Sequence, residues 1–276
     1  MTTPAPHNDD VAAFPPGLGF RSGDRGTHTS RSISLRDLES LLAAVPAGAP
    51  REAYREAVVD HNVLSKRTVS NRRLIFQRLS EFYALDEAVL VFRTMRRLWE
   101  ADASSLPLLA CLLANARDPL LRLTSSAVLK AANGDRVPKS ALADAVLAGA
   151  PGRFNAGILD KVARNAGASW TYSGHLTGHV TKTRSRAAAS PASAAYALLL
   201  GYLTGRRGAY LLDTFWTKLL DTSSSELADL AFAASRFGWL TYRRVGDVVS
   251  IRFDGLLTPE ELEEFDGTDP GLGSEI

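Results

Sequence analysis

Lys182, Arg184 and Arg186 alternate with Thr181, Thr183 and Ser185, just after Ser173, His175 and Thr177. Cations and hydroxyls at this density suit a phosphate backbone. Ammonium and guanidinium groups neutralise its charge, while hydroxyls and imidazole reach its oxygens or the base edges. A second set, Lys66, Arg67, Arg72, Arg73 and Arg78, is interleaved with Ser70, Asn71 and Gln77. Arginine beside Asn and Gln can serve both phosphates and bases. Arg243 and Arg244, with Arg252 close behind, form a third. From Pro151 to Tyr210 eight Lys and Arg face one acid, Asp160, a net +7 in a chain whose total is +2. A polyanion is the natural partner of such a stretch.

Elements must hold these groups in place. Residues 155–186 read as helix, tight turn, helix and basic run. Ile158, Leu159 and Val162 give the first helix an apolar edge. Gly167 suits the left-handed position that closes it, and Ser169 suits the cap of the next. Tyr172, Leu176 and Val180 then share one helical face. The outer face carries Gly174, Gly178, Thr181 and Ser185. Two mid-helix glycines cost about 1 kcal/mol each relative to alanine, which close approach of a partner backbone would offset. In the earlier set Ser65 reads as a cap, with Val69, Ile75, Phe76, Leu79, Phe82 and Tyr83 on one inward arc.

The stretch WLTYRRVGDVVSIRFDG alternates apolar and polar residues around Gly246–Asp247. That pattern predicts a β-hairpin. Following a helix, it is the C-terminal half of a winged helix, with a basic wing. The remainder is helical. Asp86 to Ala101 places Arg93, Arg96 and Arg97 outward, and Leu106 to Ala114 is apolar enough for the centre of the core. Further helices follow from Pro119, Pro138, Pro191, Gly208 (to Asp221) and Ser225. Short turns and repeated caps predict an all-α antiparallel bundle with helix-turn-helix or winged-helix elements and one C-terminal β-hairpin. The expected divisions are a disordered or loosely docked arm over 1–33, a helical domain over 34–150, a second over 151–265, and an acidic tail over 266–276.

Cys111 is the only cysteine, so no intrachain disulfide or cysteine cluster can form. Neither a secretory leader nor a membrane span is expected, which favours the cytoplasm. No P-loop, dinucleotide-binding glycine turn or nucleophile elbow is present, so neither an enzyme nor a cofactor is expected. His175 and His179 are four apart, as zinc ligands on one helix face would be, but no third ligand stands near. Metal binding is not expected either.

Four stretches together resemble the BrxA family of bacterial BREX phage-defence systems. They are NVLSKRTVSNRRLIFQRL, LWEADASSLPLLACLLANARDPLLRLT, SWTYSGHLTGHVTKTRS and YALLLGYLTGRRGAYLLDTFW. The likeness runs from about Asp60 to Phe253. It implies a mostly helical, non-enzymatic protein that binds double-stranded DNA beside a site-specific methyltransferase and other defence components. The matching basic stretches are Ser65 to Arg78 and Ser169 to Arg186. The arm before Ser34 and the tail after Phe265 depart from the family. Two other readings stand beside this one. The basic face could dock an acidic protein partner, or the chain could bind RNA.

Overall fold

Side-chain caps mark many of the helix starts in the computed structural model, which describes residues 16–246 and 248–267. The chain divides into two compact units, Met1–Ala188 and Ala189–Ile276. The first contains α1 (Leu35–Ala44), α2 (Arg51–Val59), α3 (Val69–Tyr83), α4 (Leu90–Ala101), α5 (Leu106–Arg117), α6 (Pro119–Leu129), α7 (Lys139–Gly149) and α8 (Ala156–Tyr172), then a small hairpin of β1 (Leu176–Thr177) and β2 (Thr183–Arg184). The boundary expected near Ala150 falls inside this unit, where α7 packs on α8. The molecule is mainly helical. Among the described residues no helix is long and apolar enough to cross a membrane.

The apolar run from Leu106 forms α5, which is buried from Leu108 to Ala116 and packs against α1, α3, α4, α6 and α8. Cys111 lies in this core, and burial pushes its thiol up to about 12. Asp118 and Pro119 start α6 as expected. The Asp118 carboxylate accepts the Leu121 N–H at 3.0 Å, and proline at the first position sacrifices no helical hydrogen bond.

Several arginines are turned to structural work. Arg96, expected to face outward, is buried and donates to Leu42 O and Val45 O at 3.2 and 2.8 Å. It thereby satisfies carbonyls left over at the end of α1. Arg122 is also buried; it donates to Asn115 O and, at 2.9 Å, to Arg21 O. Burial lowers its pKa to about 10.

The arm expected to be loose is docked over its described part. Phe20, Thr27, His28 and Ile33 are buried. Thr27 N and His28 N donate to Asp118 Oδ2 at 2.6 and 3.2 Å. His28 Nδ1 lies 3.1 Å from the same oxygen, off the line of a hydrogen bond. His28 Nε2 meets Ser169 Oγ at 2.8 Å. Residues before 16 lie outside the described part.

The second unit holds α9 (Pro191–Leu203), a 3₁₀ turn over Gly208–Leu212, α10 (Phe215–Lys218), α11 (Ser224–Arg236), β3 (Thr241–Val245), β4 (Val248–Arg252) and α12 (Pro259–Gly267). The single helix expected from Gly208 to Asp221 is thus broken in two. Its second piece opens on a Thr214–Thr217 capping box. The helix expected from Ser225 is capped two residues earlier, where Ser223 and Glu226 bond each other's backbone N–H. The predicted hairpin is present. β3 and β4 pair antiparallel with Tyr242 opposite Ile251 and Val245 opposite Val248. Gly246 takes the positive φ of 57° that such a short connection requires. The tail expected over 266–276 lies beyond the described residues from 268 onward.

Candidate nucleic-acid interface

The second helix expected over Ser169–Arg186 does not form. α8 instead runs unbroken through Gly167 and Ser169 to Tyr172. Ser169 is buried; its Oγ accepts from Ile33 N at 3.1 Å and donates to Asn165 O at 3.0 Å. Gly174 then takes φ 85°, the left-handed turn that ends a helix. Beyond it the chain makes the β1–β2 hairpin. Of the two glycines read as a cost inside a helix, Gly174 therefore ends one and Gly178 lies in the turn of the hairpin. Gly178 sits at φ 89°, and a Cβ there would lie 2.1 Å from Thr181 O. Gly178→Ala is expected to cost about 1–3 kcal/mol, read as a lower urea midpoint. An unchanged midpoint would show that the tip is not built as described.

The hairpin is the outer part of a miniature three-stranded sheet. Residues 134–137 pair with β2: Gly134 N donates to Arg184 O, Arg184 N to Asp135 O and Val137 N to Lys182 O, at 2.9, 2.8 and 2.9 Å. β1 pairs with the other edge of β2, Thr177 opposite Thr183. Behind the sheet, α6, α7 and α8 share a core of Leu120, Val146 and Val162, with Leu123, Phe154, Ile158 and Leu159 packed on it. Trp170 Nε1 donates to Thr124 Oγ1 at 2.8 Å, tying α8 to α6. The chain order from Pro119 is helix, extended segment, helix, six-residue turn, helix, hairpin, with the extended segment paired to the hairpin's second strand.

This geometry redistributes the expected binding residues. Ser173 and His175 are buried. Ser173 Oγ meets His175 Nδ1 at 2.8 Å, and the His175 ring stands edge-on to Trp170. Both are part of the joint between α8 and the hairpin rather than groove-facing groups. Arg184 is 6% exposed and donates to His175 O at 3.2 Å and to Ser185 O. Lys182 bends back on α8, with Nζ 2.8 Å from Thr171 Oγ1 and 2.7 Å from Gly178 O; burial lowers its pKa. Thr177 and Arg186 remain exposed. His175 and His179 no longer share a helix face, and no group of three metal-ligating residues occurs among the described residues.

The first basic set divides in the same way. Thr68, not Ser65, caps α3, accepting from Asn71 N at 3.2 Å. Ser65 instead sits at φ 53° in the connection between α2 and α3. Lys66 is paired with Asp37 at 2.8 Å and Arg78 with Glu81 at 2.8 Å. Arg72 donates to Val59 O at 2.8 Å, fastening α3 to the end of α2. Arg67 and Arg73 are exposed and have no partner among the described residues. In the second unit Arg243 and Arg244 are exposed on β3, Arg244 Nε donating to Gly246 O at 3.1 Å. The solvent side of neighbouring α11 carries Glu226, Asp229 and an exposed Phe232, so the hairpin is basic but the helix beside it is less so.

Two cations the sequence reading passed over now stand out. The solvent stripe of α8 runs through Gly157, Lys161, Arg164, Ala168 and Tyr172. Lys161 has no partner among the described residues, and Arg164 lies a loose 4.0 Å from Asp160. Asp160 is the one carboxylate on this helix and is neutralised by Lys139. Lys130 and Arg136 are exposed nearby along the chain, at and just before the extended segment. The signal was in the sequence: Ile158, Leu159 and Val162 mark the buried edge, and the positions between them must face water.

Charge is partitioned between the units. The first holds 25 Lys and Arg against 17 Asp and Glu, a net +8, while the second holds 7 against 13, a net −6. Comparisons with protein-family models, curated proteins and solved structures return no match.

Proposed function

We propose that residues 119–186 form a winged-helix reader of double-stranded DNA, with α8 as the helix that enters the major groove and the β1–β2 hairpin as the wing. The reading rests on the element order and strand pairing of this segment, combined with a small-residue, cationic stripe on α8. A winged-helix arrangement needs a helix whose outer side is unobstructed and a hairpin that reaches past it to the backbone. Gly157 and Ala168 keep the stripe low, and Lys161 and Arg164 supply the charge. The hairpin tip, with Val180 89% exposed, offers an apolar wedge rather than a further cation. Lys130, Arg136, Arg186, Arg67 and Arg73 extend the positive field of the first unit.

The activity proposed is binding without catalysis. Affinity comes mainly from phosphate neutralisation, so sequence preference is weak and salt dependence is steep. The resemblance over Asp60 to Phe253 supports a place among BREX-type phage-defence components, beside a methyltransferase. The second unit, whose α11 is followed by a hairpin, would be a further winged-helix element. Its net negative charge and exposed Phe232 and Phe237 fit a protein contact better than a duplex.

The test is a mobility shift with a random duplex at two salt concentrations, and with a hairpin RNA of equal length. Duplex binding that weakens steeply with salt is expected. No binding at low salt would overturn the reading, and preference for the RNA hairpin would replace it with RNA recognition.

A further inference from the structure

A cleft of about 390 Å³ opens at the C-terminal end of α3, within the range of ordinary small-molecule sites. It is built by a sharp change of chain direction. Ala84 and Leu85 both take positive φ, 66° and 53°, conformations that cost non-glycine residues of order 1–3 kcal/mol each. Three arginines converge on the carbonyls exposed there. Arg117 is engaged through all three of its guanidinium nitrogens, donating to Gly19 O, Glu81 O and Ser80 O at 2.5, 3.2 and 3.3 Å. Arg21 and Arg51 are not. Arg21 gives one N–H to Glu81 O at 3.4 Å, and Arg51 gives one to Ala84 O at 2.9 Å. A guanidinium has five, so both keep donors for a ligand.

The remaining walls differ in character. Phe76 presents a ring, with the Arg51 guanidinium 5.4 Å from its centroid. Ser80 lines the cleft, but its Oγ is itself closed off from solvent and is not a ligand group. The Asp86 carboxylate accepts the Ala88 N–H at 3.0 Å and has no cation partner among the described residues. Glu81, by contrast, is already paired with Arg78 and accepts the Thr27 hydroxyl.

We propose that this cleft binds a nucleoside monophosphate. Its phosphate would sit on Arg21 and Arg51, its base against Phe76, and its ribose hydroxyls against Asp86. The three walls ask for three chemistries in one molecule: an anion, a flat ring, and hydroxyl donors for a carboxylate. Inorganic phosphate meets the first alone and a nucleoside only the other two. The proposal is independent of the DNA reading.

The experiment is titration calorimetry of the full chain with AMP, GMP, CMP and UMP, and with adenosine and inorganic phosphate. At least one mononucleotide is expected to bind, with adenosine and phosphate alone weaker by about tenfold or more. Arg51→Gln and Phe76→Leu, each checked for native circular dichroism, should each weaken binding by about tenfold. Lys161→Ala/Arg164→Ala, on the DNA-facing helix, should leave it unchanged. Absence of binding by all four nucleotides at millimolar concentration overturns the proposal. So does binding that survives Arg51→Gln and Phe76→Leu, or that is lost in the Lys161→Ala/Arg164→Ala variant, since any of these places the nucleotide elsewhere.

Discussion

Asp118→Ala is expected to remove about 3–5 kcal/mol of folding stability, the usual consequence of breaking a buried polar pair from one side. One carboxylate holds two elements together. It caps α6 through Leu121 N, anchors the N-terminal segment through Thr27 N and His28 N, and faces the His28 ring. Gly26 lies so close that a Cβ would be 2.4 Å from Asp118 Oδ1, so no larger side chain fits. Without Asp118, three backbone N–H groups lose their acceptor, and the His28 ring its neighbouring carboxylate, where water cannot reach. Against a total of about 5–15 kcal/mol, that is a large fraction. Urea denaturation measures it, and a loss under about 1 kcal/mol would show that the strap is not anchored there.

The same group sets an acid limit. Burial raises the Asp118 pKa, but the His28 ring and the N–H donors of Leu121 and His28 outweigh it and hold the carboxyl below the usual aspartate value. A folded-state pKa lower than the unfolded one gives stability that is complete above the unfolded value. It is lost as pH falls through the folded one. The wild type should therefore lose stability over that acid window, and Asp118→Ala should lose less. Ser169, His28 and Asp118 line up in the order of nucleophile, base and orienting acid. All three are at most 1% exposed, and Ser169 Oγ is already bonded to Ile33 N and Asn165 O. The row ties α8 to the N-terminal segment.

Lys161→Ala/Arg164→Ala should weaken duplex binding by tenfold or more and flatten the logarithmic salt dependence by about two, one for each phosphate contact removed. Both side chains project from the solvent stripe of α8, so stability should hardly change. Arg184→Ala should do the opposite. Its guanidinium supports His175 O and Ser185 O from a buried position, so its loss should cost about 1–3 kcal/mol of stability without changing the salt slope of whatever protein stays folded. Mobility shifts across a salt series, run beside thermal melts, separate the two. If the α8 variant binds duplex with the wild-type slope, α8 is not the reading helix.

Much of the architecture was legible from local patterns. Asp118–Pro119 and Ser190–Pro191 announce helix starts because cap and proline satisfy the same end. The uninterrupted apolar run from Leu106 can only be a buried helix. The β-branched alternation around Gly246 can only pair with itself. Residues 173–186 were misread because Gly174 and Gly178, and likewise Tyr172, Leu176 and Val180, recur at a spacing a helix would also accept. What decides between helix and hairpin there is the pairing of β2 with residues 134–137, some 45 positions away along the chain, and no local pattern carries it. The fate of each arginine was hidden for the same reason. Arg96, Arg122 and Arg184 go inward because carbonyls at distant helix ends and turns need donors, whereas Lys161 and Arg164 stay in water because α8 buries its other side. Residue type determined that this protein is helical and that its first two-thirds are cationic. Only the tertiary structure decided which cations are left for a ligand, since a guanidinium is spent wherever the fold leaves a buried acceptor unmet.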